Sequence, residues 1–100
     1  MLIIDGDYPM ANGAIDLNRD LTLSIEAVRA TPDETPAQER RPASSVMASL
    51  PEMRRGRIAV ALVKIVVRIQ REGNPSPGYR TGDIAYAVAQ GRLAYYQILE

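Results

Sequence analysis

Met1-Leu2-Ile3-Ile4-Asp5-Gly6-Asp7-Tyr8-Pro9 opens the chain, and Ile58-Ala59-Val60-Ala61-Leu62-Val63-Lys64-Ile65-Val66-Val67-Arg68-Ile69 is its only other long apolar stretch. The first is β-branched and breaks into Asp-Gly-Asp and then Pro, which predicts a strand over residues 2–6 that delivers carboxylates to a loop at its C-terminal end. The second begins with six continuously apolar residues, the pattern of a strand covered on both faces as in a parallel sheet, so a strand is expected within 58–68. Its β-branched residues weigh against a buried helix. A connection containing helices favours right-handed parallel pairing of the two strands. In α/β folds the C-terminal ends of such strands are where sites are built.

The remaining elements follow from caps and breakers. Leu17 and Leu21 are four apart and admit one helical turn around Asp16–Asp20. Ser24 is suited to cap a helix over about 25–30, with Glu26 in the first turn where the helix dipole favours negative charge. Residues 31–45, TPDETPAQERRPASS, hold three prolines and little apolar bulk, so an exposed flexible loop without regular structure is expected there. Ser49 can cap a short helix over 49–55, with Pro51 in its first turn and Gly56 as its stop. A loop follows over 71–80, and then Thr81 caps a helix over 82–99 that carries Asp83 in its first turn and Ile84, Val88, Tyr95 and Leu99 on one face. Strand, helix, helix, strand, helix is the order of two successive β-α units, an α/β arrangement in a single partial domain over 1–100.

Twelve basic and twelve acidic residues balance to zero formal charge, which favours neither nucleic acid nor an anionic membrane as partner. There is no cysteine and no histidine. Disulfides, thiolate metal sites and thiol nucleophiles are thereby excluded, and so are the commonest general base and metal ligand. Chemistry would rest on Asp, Glu, Lys, Tyr, Ser or an imported metal. No basic region precedes an apolar core at the N-terminus, and the longest apolar run is interrupted by Lys64 and Arg68 and too short to span a bilayer, so a cytoplasmic chain without a membrane segment is expected. One hundred residues bury only about two-thirds of their unfolded surface, a narrow stability margin.

The words Asp5-Gly6-Asp7-Tyr8-Pro9-Met10-Ala11 and Ala14-Ile15-Asp16-Leu17-Asn18-Arg19-Asp20-Leu21-Thr22 resemble the N-terminus of the membrane (renal) dipeptidase family. The resemblance continues through Ser49-Leu50-Pro51-Glu52-Met53-Arg54-Arg55-Gly56, Gly78-Tyr79 and Ala85–Tyr96, nearly the whole chain outside the proline-rich loop. It implies the N-terminal β-α-β-α portion of a (β/α)8 TIM-type barrel, incomplete in this chain, from a zinc-dependent hydrolase that cleaves dipeptides. Family members end the first strand with His-x-Asp, two zinc ligands. The matching positions are Asp7 and Pro9; proline has no ligand atom and Asp7 offers oxygen for imidazole nitrogen, so the implied pair is at best half retained.

On that resemblance Asp7 is the candidate metal ligand, and Asp5 would orient the loop or support a ligand. Asn18, Arg19 and Asp20 are loop-orienting residues, and Asp16, Arg19 and Asp20 are expected to form local salt bridges and loop hydrogen bonds. Lys64 is either a perturbed base or a chain that reaches to water. Arg54, Arg55 and Arg57 read as a solvated face, and Tyr86, Tyr95 and Tyr96 as packing residues. Three functions stay open: a dipeptidase-like segment inactive by itself, a non-catalytic relative that binds a ligand or partner, and a small module that completes its sheet as a homo-oligomer. Without later barrel strands, the sheet and the last helix are expected to expose apolar surface.

Overall fold

In the computed structural model, which describes residues 1–73 and 78–100, β1 (Ile3–Tyr8) and β2 (Ile58–Val63) pair in parallel as a two-stranded open sheet. Ile3 faces Ile58, Ile4 faces Val60, Asp5 faces Ala61 and Tyr8 faces Val63, with irregularities after Ile3 and after Asp5. β1 runs past the expected 2–6 because β2 supplies backbone partners as far as Tyr8, whose carbonyl accepts from the Lys64 N–H at 3.2 Å. Asp5-Gly6-Asp7 therefore lies within the strand and not in a loop. β2 falls within the expected 58–68 and ends at Val63, where β1 turns away at Pro9.

Beyond that point Ile69 forms one parallel bridge with Tyr79. The approach requires Gly78: a Cβ there would stand 2.8 Å from the Gln70 nitrogen and 2.9 Å from the Arg68 oxygen. The expected loop over 71–80 includes positions 74–77, which lie outside the described residues.

The helices follow their caps. In α1 (Ile25–Arg29) the Ser24 hydroxyl accepts from Ala27 N–H at 3.3 Å, and Ile25 and Val28 turn inward. Residues 31–45 depart from the expected loop: α2 (Pro36–Arg40) and a 3-10 turn (Ala43–Ser45) form there. Apolar content is a poor guide to this segment because polar caps build it. Thr35 and Gln38 make a reciprocal capping box, and the buried Gln38 amide also donates to the Leu17 carbonyl at 2.8 Å.

α3 (Leu50–Arg55) starts at Ser49, but the Ser49 hydroxyl makes no cap bond; it is fully buried and unpartnered. Gly56 keeps an ordinary φ of −74°, and Arg57 takes the left-handed conformation at φ 58° in its place. α4 (Gly82–Leu99) is capped by Thr81, whose hydroxyl accepts from Ile84 N–H at 3.2 Å. The turn expected around Asp16–Asp20 sits earlier, as a π-helical turn over Asn12–Asp16, and Asn18 follows it at φ 49°.

The core lies at the carboxyl ends of the strands. Met10, Leu21 and Val28 are buried together, and Tyr8, Leu50, Tyr95, Tyr96 and Leu99 close around them. The sheet faces stay open: Leu2, Ile4 and Leu62 are 74%, 70% and 59% exposed, so β2 is not covered on both faces. α4 spends Tyr95 and Leu99 on the core, while Ile84 and Tyr86 face solvent; Tyr86 is thus no packing residue. Among the described residues no helix is long and apolar enough to cross a membrane.

Gln38 is the polar centre of the proline-rich segment, accepting from Glu34 and Thr35 N–H and donating to Leu17. Gln38→Ala is expected to lower the unfolding free energy by about 1–3 kcal/mol and to speed amide exchange over residues 34–41, as buried backbone groups lose their partner. Urea melts and hydrogen exchange check both.

Candidate functional site at the strand ends

The loop leaving β1, the segment leaving β2, α2 and α4 enclose a half-open cleft of about 1240 Å³ at the carboxyl ends of the strands. Parallel pairing aims both strand exits to the same side, which is why loops distant in sequence meet there. Met10, Leu17 and Leu21 give it an apolar floor. Its charged lining is strongly asymmetric: Arg19, Arg40, Arg41, Lys64, Arg68 and Arg92 face Asp16 as the one carboxylate.

Two clasps hold α4 over the β1 loop. One Arg92 terminal nitrogen donates to both Asp16 oxygens, at 2.7 and 2.8 Å, and Arg92 is only 3% exposed. The Tyr96 hydroxyl accepts from Ala11 N–H at 2.9 Å and donates to the Lys64 carbonyl at 3.2 Å, joining α4 to both strand exits. Tyr8 adds a third tie by donating to the Ala48 carbonyl at 3.0 Å.

Burial of Tyr8 raises its phenol above the ordinary value, helped by Tyr95, Tyr96 and Asp5 nearby; Tyr95 is raised by its own burial. Asp20 is held below the usual carboxyl range by the Thr22 hydroxyl and amide that it accepts from.

The sequence-derived candidates are spread rather than gathered. Asp7 pairs with Lys64 Nζ at 2.9 Å, both half-exposed. Asp5 accepts from Asp7 N–H at 3.0 Å, turned onto its own strand. Arg19 is buried and donates to the Arg41 carbonyl, with Asp33 at 3.5 Å, and Asp16 reaches Arg92; neither Asp16 nor Arg19 makes the local salt bridge expected of it. Asn18 and Asp20 are exposed, on the turn that leads from Leu17 to Leu21.

Lys64 meets Asp7 and lines the cleft, in place of solvent alone. Arg54, Arg55 and Arg57 do form an exposed face, with Arg55 paired to Glu52 at 3.1 Å. Arg92 and Tyr96 were not singled out as site residues: Arg92 interrupts the apolar side of α4, a placement that signals a buried partner.

Zinc does not suit this donor set. Asp7 is engaged by an ammonium group, Pro9 has no ligand atom, and among the described residues no three of His, Cys, Asp and Glu converge. Compared with protein-family models, with curated proteins and with solved structures, the chain gives no significant match.

Two outcomes test the site. The raised Tyr8 phenol stabilises the fold fully below the unfolded value of about 10, and that stability is lost as pH rises through the folded value. Alkaline melts followed by phenolate absorbance should show this loss, and Tyr8→Phe should make the alkaline fall shallower. Asp16→Ala should cost about 2–3 kcal/mol by stranding a buried guanidinium, and adding Arg92→Met should restore part of it. Urea melts of the single and double variants measure the difference.

Proposed function

We propose that the chain is the N-terminal β-α-β-α portion of a dipeptidase-like hydrolase scaffold, one that binds at its strand ends and does not by itself catalyse. What carries the reading is the position of the cleft: the segment holding Asp16-Leu17-Asn18-Arg19-Asp20-Leu21 leaves β1 at its carboxyl end and contributes Asp16, Leu17, Arg19 and Leu21 to the lining. The other words of the resemblance fall on the elements that such a scaffold needs. Leu50-Pro51-Glu52-Met53-Arg54-Arg55 is the helix entering β2, and Ala85–Tyr96 lies in the helix after it.

The Asp7–Lys64 pair favours the non-catalytic form of this reading. A lysine ammonium 2.9 Å from the carboxylate at the first ligand position satisfies that carboxylate with the protein's own charge. A dipeptide-like ligand belongs to this family reading, and a homo-oligomer to the alternative of a small module that completes its sheet by self-association.

Zinc calorimetry and a dipeptide hydrolysis assay on the purified chain test the proposal. The expected result is no submicromolar zinc binding and no turnover. Asp7→His with Pro9→Asp should raise zinc affinity by about tenfold or more, as an imidazole and a carboxylate replace a single carboxylate engaged by Lys64. Submicromolar binding with metal-dependent turnover, abolished by Asp7→Ala, would overturn it.

A further inference from the structure

We infer that the strand-end cleft is a binding site for a small organic dianion, a phosphomonoester or a dicarboxylate with an apolar body. The chain is neutral overall, with twelve cations and twelve acids, yet half of its cations and one of its acids line this single cleft. Six cations line it against Asp16 alone, and once Asp33 on Arg19 and Asp7 on Lys64 are counted three positive charges are left over.

Internal partners offset only part of that charge. Arg92 is matched by Asp16, Arg19 by Asp33 and Lys64 by Asp7. Arg40, Arg41 and Arg68 make no ion pair among the described residues, and they come from α2, from the residue just after it and from the segment after β2. Two of the three therefore stand on one wall and the third comes from the other strand exit, an arrangement suited to a ligand with more than one negative charge. Five of the six cations are arginine, whose planar fork matches carboxylate and phosphate oxygens in pairs. The floor of Met10, Leu17 and Leu21 offers apolar contact, so an anion with a hydrophobic body gains over a bare ion.

This inference rests on the charge and shape of the cleft, and stands or falls apart from the dipeptidase reading. The experiment titrates phenyl phosphate, phthalate and inorganic phosphate into the full chain by calorimetry at low and raised salt. The expected result is submillimolar binding of at least one aromatic dianion, tighter than inorganic phosphate and weakened by salt. Phenyl phosphate binding alone assigns the phosphate class, and phthalate binding alone assigns the carboxylate class.

Arg40→Ala with Arg41→Ala, and separately Arg68→Ala, should each weaken binding by about tenfold while circular dichroism stays native, since all three side chains are exposed. Arg54→Ala, exposed on α3 and outside the cleft lining, should leave it unchanged. No binding of either aromatic dianion, or binding that the cleft variants and Arg54→Ala affect equally, would overturn the inference.

Discussion

The structure depends on how α4 is fastened across the exit of β1. A two-stranded sheet with both faces open has little cohesion of its own, and its strands are joined by a long connection whose closure entropy opposes pairing. The fastening comes from Arg92 on Asp16 and from Tyr96, whose hydroxyl joins Ala11 N–H to the Lys64 carbonyl. Both bridge residues far apart in sequence, and both act where Met10, Leu21 and Val28 form the buried cluster. Packing and polar ties therefore concentrate at one end of the sheet. The strand faces contribute little to either.

That concentration also explains the cleft. Parallel strands send their exits to one side, and the loops that fold back there bring arginines from α2 and α4 together with Lys64 and Arg68. Arginine tolerates such a place because its stem packs on apolar residues while its head seeks oxygen. Asp16 and Asp33 answer two of the heads, and the rest keep a positive field over an apolar floor. For the family proposal the same geometry is informative in a different way: the position of the implied metal pair is occupied by a carboxylate already held by Lys64.

The regular elements were legible where local chemistry decides them. Ser24 and Thr81 announce their helices by hydroxyl caps, and the β-branched runs at Ile3 and Ile58 pair in parallel as the helix-containing connection between them implies. Apolar counting misread residues 31–45, because Thr35 and Gln38 stabilise α2 through polar bonds that hydropathy does not register. Ser49 looked like a cap, yet burial withdraws its hydroxyl from the helix. The site was harder to read: Asp16 and Arg19 find partners 76 and 14 to 22 positions away, and such pairings arise only when the crossover is folded. Arg92 on the inner side of α4 was the available sign.

α4 clasps the β1 exit and so builds the cleft, and the Ala11 amide reports on that clasp directly. Its N–H donates to the Tyr96 hydroxyl at 2.9 Å, 85 positions away in sequence. Hydrogen exchange followed by nuclear magnetic resonance should find this amide protected in the native chain and released in Tyr96→Phe, while the amides of β1 and β2 keep their protection. Exchange of the Ala11 amide at the rate of an unstructured peptide in the native chain would contradict the claim.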